Sequence, residues 1–281
     1  MNDALARTID EVRSYYDRRP QQEWQRLVRQ RLEYAVTLRA LRDTLPATAR
    51  VLDAGGGPGR YAVALAAAGH AVTLLDLSPR LLQLARDHAA QRKVHLAGIG
   101  EGSATDLCRF DDASFEAVLL LGPLYHLPEL EDRLLALREA RRVLVPDGVL
   151  VVAFVSRYAP LRQLAQSDPE SLLRLAERYE ALLERGVLPG ADERDEPVQG
   201  YYARPDEIAP LMERAGFETP RLLAVEGLLD GIERRVAALR GAAWNAWADL
   251  IYDLAGEQGV LASSTHILAI AQRNEDDGGR A

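Results

Sequence analysis

The chain reads Val-Leu-Asp-Ala-Gly-Gly-Gly-Pro-Gly at residues 51–59, where a short apolar run leads into a glycine-rich turn. Residues 51–54 have the length and composition of a buried strand, and residues 61–68 have the pattern of a helix. Glycine has no side chain, so a turn built from it lets the backbone approach a ligand closely. The first turn of the following helix adds backbone N–H groups that have no partner inside the helix. The stretch therefore predicts a strand, a ligand-binding turn and a helix.

The residues around this turn distinguish between two nucleotide cofactors. Asp76 ends the next predicted strand, where a carboxylate can accept hydrogen bonds from both hydroxyls of a ribose. A dinucleotide fingerprint, G-x-G-x-x-G, would need glycine where the chain has Arg60. Asp53, just before the turn, can meet the cationic amino acid part of S-adenosylmethionine. The pattern favours S-adenosylmethionine over NAD, and a tight turn with no ligand is the remaining interpretation.

Short apolar runs alternate with helical patterns from Arg50 onward. Repeated β-α units of this length predict an α/β fold, with a parallel sheet that helices cover on both faces. Ser78-Pro79 is typical of a helix start, and the helix is predicted to run to about Gln91. The strands that follow the first are predicted at residues 71–75, 94–99, 115–121, 149–155, 220–225 and 266–271.

Helical patterns also lie outside the alternating region. Apolar residues from Trp24 to Leu41 recur at spacings of three and four, which predicts one stripe on a helix. We expect the helices before Pro46 and the insertion after the fifth strand to close over the site as a lid. Residues 186–200 are rich in glycine, proline and acids, which predicts a mobile loop. The chain is predicted to divide into an N-terminal helical cap (1–46), a cofactor-binding core (47–156), a helical insertion (157–204), the remainder of the core with a long helix (205–273) and a disordered tail (274–281).

Composition limits the classes of partner. The chain has 34 basic and 42 acidic residues, a formal net charge of −8, which argues against nucleic acid because binding it needs a strongly cationic surface. The single cysteine, Cys108, excludes an internal disulfide, and no H-x-x-x-H spacing suggests a metal site. The N-terminal residues lack a signal-peptide apolar core, and no apolar stretch is long enough to cross a bilayer. We expect a cytoplasmic monomer or homodimer with no metal.

Several motifs resemble those of class I, Rossmann-like methyltransferases of the UbiE-like type, over roughly residues 50–155. Residues 51–59 resemble the first motif of that family, and residues 142–148 resemble its R-V-L-x-P-G-G turn, with Asp147 for the first glycine. Residues 102–107, Gly-Ser-Ala-Thr-Asp-Leu, resemble its G-D-A-x-D-L segment beside the adenine, with Ser103 in place of aspartate. The resemblance implies a Rossmann-like, mostly parallel seven-stranded sheet. The cofactor-binding residues that it implies are Asp53, Gly55, Gly57, Gly59, Asp76, Leu77, Ser103, Ala104 and Leu121.

Other residues are candidates for the acceptor side. His126, at the end of the fourth strand, is a candidate general base because its pKa lies near working pH, although packing or helix capping would equally explain it. Tyr125 stands in G-P-L-Y, which lacks the polar first residue of the N-P-P-Y motif of amino-group methyltransferases. Two tyrosine pairs either stack on a planar acceptor or serve in ordinary packing. The candidate acceptor-binding residues are Tyr15, Tyr16, Tyr125, Tyr201 and Tyr202.

The resemblance and the turn together predict transfer of a methyl group from S-adenosylmethionine to an unidentified acceptor. A small-molecule acceptor ranks above protein or RNA, because the chain is acidic and the insertion is long enough to enclose a small ligand. Two alternatives stay open on the sequence alone. One is an NAD-dependent oxidoreductase, and the other is a protein that binds S-adenosylmethionine without catalysis.

Overall fold

The computed structural model describes residues 3–188 and 200–274, and it begins with three helices. These are α1 (Asp3–Arg18), α2 (Pro20–Arg29) and α3 (Arg31–Thr44). The break expected at Pro20 is present, but the single helical stripe expected from Trp24 to Leu41 is wrong. The backbone turns at Gln30, which has φ −79° and ψ 70°, so two helices share those apolar residues. The turn buries Leu27 and Leu32 and leaves Val28 47% exposed.

A seven-stranded sheet forms the centre of the molecule. Five parallel strands come first: β1 (Arg50–Ala54), β2 (Ala71–Asp76), β3 (Gly98–Glu101), β4 (Phe115–Leu120) and β5 (Leu144–Val155). After a two-stranded ribbon of β6 (Val187–Leu188) and β7 (Gly200–Tyr201), β8 (Arg221–Ala224) and β9 (His266–Gln272) complete the sheet. Its order is β3-β2-β1-β4-β5-β9-β8, and β9 is antiparallel to both neighbours. The predicted mostly parallel, Rossmann-like sheet is confirmed.

Helices cover both faces of this sheet because alternate strand residues point to opposite sides. Leu52, Val118 and Leu150 pack into one hydrophobic cluster with residues of α6 (Leu130–Val143). Their neighbours Val51 and Leu119 pack into a second cluster on the other face. That cluster also contains residues of α3 and of the helices α4 (Arg60–Ala67) and α5 (Pro79–Arg92). The site lies at the carboxyl ends of the parallel strands, between these layers.

The boundary of one strand differs from its prediction. The third strand was expected at residues 94–99, but β3 is Gly98–Glu101. Lys93 ends α5 in the left-handed conformation, with φ 54°, and the chain pairs only after it has reached the edge of β2. Leu96 is buried by packing rather than by strand pairing, which explains why its apolar signal was misleading. The start of α5 is as predicted, since the Ser78 hydroxyl accepts a hydrogen bond from the Leu81 N–H at 3.1 Å.

Several helices follow β5, and one of those predicted is divided in the structure. The insertion contains α7 (Ala159–Ser167) and α8 (Ala176–Arg185), and α9 (Pro205–Arg214) follows it. The long helix expected within residues 205–273 is divided into α10 (Arg234–Ala237) and α11 (Gly241–Leu254), before α12 (Gln258–Leu261). Gly231 and Gly241 have positive φ, which a continuous helix does not allow.

Some sequence predictions fall on other parts of the chain. Residues 189–199 of the expected mobile loop and residues 275–281 of the expected tail lie outside the described residues. The division of the chain into five parts stays a prediction. None of the described helices combines the length and apolar character that a bilayer crossing requires.

Candidate functional site

The turn after β1 has a backbone that only glycine adopts easily. Gly55, Gly57 and Gly59 have φ of +81°, +55° and +75°, and the last of them precedes α4 directly. A Cβ at Gly55 would lie 2.5 Å from the ring of Pro123, and one at Gly56 would lie 2.4 Å from an oxygen of Asp53. The glycines therefore allow the turn to fold tightly against Pro123, which follows β4, and against the Asp53 carboxylate.

Asp76, at the end of β2, holds the turn in place. One oxygen of its carboxylate accepts the N–H of Gly57 and the other accepts the N–H of Ser78, both at 2.8 Å. Burial raises the pKa of Asp76 to about 6, although these two backbone donors oppose the rise. Each carboxylate oxygen can accept a further hydrogen bond, so the group is able to bind ligand hydroxyls as well.

Asp53 is a buried acid with no firm partner. Its side chain is on β1 beneath the turn, and the residue is 1% exposed. Among the described residues, no hydrogen bond of ordinary geometry reaches either of its carboxylate oxygens. Burial, helped by the nearby Asp76 carboxylate, raises the pKa of Asp53 to about 7, and the Ala62 backbone N–H offsets part of the rise. A buried carboxylate of this kind is stabilised by a cationic ligand.

One cavity joins the turn, the two acids and the N-terminal helices. The structure places most of the sequence-predicted residues in its wall. Gly59 is an exception, since a Cβ there would face Ala85 of α5 at 3.0 Å instead. The predicted residues that line the cavity are Tyr16, Asp53, Gly55, Gly57, Asp76, Leu77, Ser103, Ala104, Leu121, Tyr125 and His126.

Three of the predicted acceptor-binding residues do not line this cavity, and their role stays a prediction. Tyr15, Tyr201 and Tyr202 are absent from the cavity wall within the described residues. Tyr201 packs beneath the guanidinium of Arg133, whose carbon lies 3.6 Å from the ring centroid. Tyr15 packs edge-on against Tyr16 with ring centroids 5.1 Å apart. These contacts correspond to the ordinary packing that was the alternative interpretation.

The N-terminal helices cover the cavity and are bound to the core by polar contacts. The Tyr16 hydroxyl and Nε2 of His126 share a hydrogen bond of 2.8 Å, and the Ser78 hydroxyl donates to Asp17 at 2.6 Å. By contrast, the described residues of the insertion, 157–188 and 200–204, contribute nothing to the wall. Of the two segments expected to form a lid, only the N-terminal helices line the cavity among the described residues, and the lid itself stays a prediction.

His126 is a weaker base than its residue type suggests. Burial, with a smaller contribution from the Arg26 charge, lowers the pKa of His126 to about 4. The ring is therefore neutral near pH 7 and shares a hydrogen bond with Tyr16. Its role as general base stays a prediction.

A polar cluster that no sequence pattern indicated lies at the other end of the cavity. Oε1 of Glu226 lies 2.6 Å from Nδ1 of His266, and Oε2 accepts the His266 N–H at 2.8 Å and the Ser264 hydroxyl at 2.7 Å. Burial and the Arg26 charge lower the pKa of His266, but the charge and hydrogen bond of Glu226, together with the Glu33 charge, outweigh them and raise it to about 9. The imidazole is therefore cationic near pH 7. Glu33 of α3 completes the cluster. One carboxylate oxygen from each glutamate and one imidazole nitrogen of His266 lie within 4.8 Å of one another. A search for H-x-x-x-H spacing could not find this cluster, because its three residues are far apart in the sequence. Strand pairing and helix packing bring them together.

Comparison with known proteins identifies the family. Residues 52–152 match the family described as "Methyltransferase domain". A ubiquinone biosynthesis O-methyltransferase of Xanthomonas campestris pv. campestris is 35% identical over 145 residues, 52% of this chain and 57% of the relative. The corresponding protein of Xanthomonas axonopodis pv. citri is 31% identical over 184 residues, 66% of this chain and 67% of the relative. The chain belongs to the class I S-adenosylmethionine-dependent methyltransferases.

A solved methyltransferase structure shows the same fold. The 1,6-didemethyltoxoflavin-N1-methyltransferase of Burkholderia thailandensis, determined with S-adenosylhomocysteine, has a TM-score of 0.58 and 17% identity. The match covers 95% of this chain and 88% of that one. The chain spans a little over half the length of the first curated relatives that it matches.

S-adenosylmethionine is the cofactor of this methyltransferase family, and the cavity fits it. Asp53 is a buried carboxylate that lacks a partner, which suits the cofactor's ammonium group. Asp76 has acceptor capacity for the ribose hydroxyls. The positive-φ glycines leave space at the turn. The individual contacts stay predictions.

Cofactor binding is expected to release a proton and to strengthen as pH rises from about 6 to about 8. Asp53 has a pKa of about 7 in the free protein, and a bound ammonium group would favour its ionised form. Binding would lower the pKa of Asp53. At any pH between that lowered pKa and about 7, binding must therefore remove a proton from Asp53, and above about pH 7 the affinity should become constant. Calorimetry with S-adenosylhomocysteine in two buffers of different ionisation enthalpy measures the proton count.

Asp53→Asn is the control for this prediction, because the amide cannot titrate. The variant should lose the slope near pH 7 and keep a smaller one near pH 6, where Asp76 titrates. Equal affinity at both ends of the pH range in the unmodified protein would contradict the contact between Asp53 and the ammonium group.

Proposed function

We propose that this chain transfers the methyl group of S-adenosylmethionine to a small-molecule acceptor. One observation carries the proposal: a single cavity joins the glycine turn and its two acids to a second region. The predicted cofactor-binding residues do not line this second region, and the N-terminal helices cover it. Such a continuous cavity would bring the cofactor and an acceptor into contact. A cover of three helices leaves room for a small molecule rather than for a folded protein or RNA.

The acceptor region has an apolar floor and a few polar groups, the usual composition of a small-molecule site. Ala153, Val225 and Leu268 lie on the sheet side. Ala153 and Leu268 are paired residues of β5 and β9, so this floor is rigid. Tyr125 and His126 close the side next to β4.

The cofactor supplies a methyl group made electrophilic by the sulfonium that carries it. The contribution of the chain is binding, orientation and exclusion of water. In this proposal Asp76 orients the ribose and Asp53 the amino acid part, while Tyr16 and Val12 of α1 exclude solvent from above. A general base is needed only if the acceptor must lose a proton before attack.

The names of the Xanthomonas relatives support an oxygen atom as the methyl acceptor. These relatives are named as O-methyltransferases of ubiquinone biosynthesis. We therefore place a quinone-related small molecule first among acceptors. Membership of the family sets aside the NAD-dependent oxidoreductase, and a cofactor-binding protein without catalysis is the remaining alternative.

Two measurements test this function. Calorimetry should show binding of S-adenosylmethionine and S-adenosylhomocysteine, and no comparable binding of NAD or NADP. A transfer assay with cofactor labelled in the methyl group, read by mass against a panel of small hydroxylated molecules, should then detect a methylated product. Cofactor binding without product on any acceptor would favour the non-catalytic alternative, and preference for NAD would refute the proposal.

A further inference from the structure

The cluster of Glu33, Glu226 and His266 lies at the end of the cavity away from the predicted ribose site. Asp76 is at the end of β2, and the glycine turn follows the neighbouring strand β1. From β1 the sheet continues through β4 and β5 to β9. His266 starts β9 and is paired with Val155 at the carboxyl end of β5. With the cofactor over β2, β1 and β4, this cluster is on the acceptor side.

His266 is held in one orientation and presents an unused nitrogen. Glu226 occupies Nδ1, and its own second oxygen is fixed by Ser264 and the His266 backbone. Among the described residues no hydrogen bond occupies Nε2, although the ring lines the cavity. A cationic imidazole therefore has one N–H available for a ligand.

Glu33 has the complementary property. Neither of its carboxylate oxygens takes part in a hydrogen bond among the described residues, and Oε2 is shielded from solvent. Burial raises the pKa of this carboxyl. A shielded polar atom without a partner is costly, so the site gains most from a ligand that donates a hydrogen bond there. Glu33 and His266 are near each other but not bonded, which leaves a donor and an acceptor side by side.

We propose that Glu33 and His266 together bind a neutral hydroxyl group of the acceptor, with Glu33 accepting its hydrogen bond and His266 donating one. Glu226 is a positioning residue that fixes the imidazole. The inference rests on the proposed function and specifies the acceptor's chemistry. A hydroxyl is both donor and acceptor, which matches the two free groups.

Two other common polar groups match this pair less well than a hydroxyl does. A carboxylate can accept a hydrogen bond from His266 but has no hydrogen to donate to Glu33. An ammonium group can donate to Glu33 but cannot accept from His266. Since Ala153, Val225 and Leu268 supply an apolar floor, the hydroxyl belongs on an apolar ring, as in a phenol.

Binding of four ring compounds of similar size tests this assignment. The full chain is saturated with S-adenosylhomocysteine and titrated near neutral pH with phenol, catechol, benzylamine and benzoate, the last two being charged at that pH. Phenol and catechol should bind more tightly than either charged compound. Glu33→Gln and His266→Gln should each weaken catechol binding about tenfold, the effect of one charge-assisted hydrogen bond.

Matched variants at exposed positions serve as controls. Glu218→Gln and His95→Asn change the same residue types away from the cavity and should leave catechol binding unaltered. All variants should keep their affinity for S-adenosylhomocysteine, which verifies that the site is folded. Glu226→Gln should also weaken catechol binding, and the His266 resonances in its NMR spectrum should broaden or shift as the ring loses its fixed orientation.

The outcomes separate this inference from the function on which it rests. Failure of the unmodified chain to bind S-adenosylhomocysteine would refute the proposed function. With that binding intact, tighter binding of benzoate or benzylamine, no binding of phenol and catechol, or catechol affinity unchanged in both Glu33→Gln and His266→Gln would overturn the assignment of the hydroxyl site.

Discussion

Replacing Gly57 with valine is expected to abolish cofactor binding while the chain still folds. Gly57 lines the cavity and has φ +55°, a conformation that costs a β-branched residue about 1–3 kcal/mol. A Cβ at this position would meet only a methyl group of Leu81, at the ordinary distance of 3.7 Å, so the core is not overpacked. The rest of the side chain would occupy the space at the turn. We expect affinity for S-adenosylhomocysteine to fall about 100-fold or more, or about 2.8 kcal/mol.

Gly57 is a cleaner position for this test than its neighbours. A Cβ at Gly55 would collide with Pro123 and one at Gly56 with Asp53, so those variants would combine misfolding with loss of binding. Gly69→Val is the matched control, because Gly69 has φ +103° with no atom within 4 Å of its Cβ position. It should lose stability and keep cofactor affinity. Normal binding by Gly57→Val would mean that the cofactor lies elsewhere.

The parts of the fold that the sequence predicted are those that depend on neighbouring residues. The strand and turn at 51–59 depend on local apolar composition and on glycine, and both appear where expected. The cap at Ser78 is equally local. The sheet followed because repeated β-α units permit few arrangements.

The predictions that failed depended on contacts between distant segments. Val28 carries the same apolar signal as Leu27, and only the turn at Gln30 decides which of them is buried. The packing of Tyr201 against Arg133, where α6 and the ribbon meet, is another contact that no local pattern shows.

The candidate site divides in the same way. Its cofactor half is encoded mostly between residues 53 and 104, where motif spacing is informative. Its acceptor half is assembled from α3, the segment just after β8 and the start of β9, and Glu33 and His266 are 233 residues apart in the chain. Glu33, Glu226 and His266 have no sequence spacing in common, so only the fold brings them together.

Asp76→Ala is expected to weaken cofactor binding by about 2–4 kcal/mol, a loss of roughly 30-fold to 1,000-fold. The carboxylate would otherwise accept two ribose hydroxyls in a buried site. The variant also leaves the N–H groups of Gly57 and Ser78 without their acceptor, which loosens the turn. Burial makes the Asp76 carboxyl costly to ionise, as its pKa of about 6 indicates. Removal of this group therefore offsets part of the loss in folding stability. Asp87→Ala, at an exposed position of α5, is the matched control and should bind normally.

The effect of Asp76→Ala on the ribose can be separated from its effect on the turn by changing the ligand as well. Adenosine and 2′,3′-dideoxyadenosine differ only in the two hydroxyls, so their affinities for the unmodified and variant chains form a double-mutant cycle. If Asp76 binds the hydroxyls, the unmodified chain should prefer adenosine strongly, and Asp76→Ala should bind the two nucleosides about equally. If Asp76 acts only by holding the turn through Gly57 and Ser78, the variant should weaken both nucleosides by the same factor and retain the preference. That second result would refute the ribose contact even if overall affinity had fallen as far as expected.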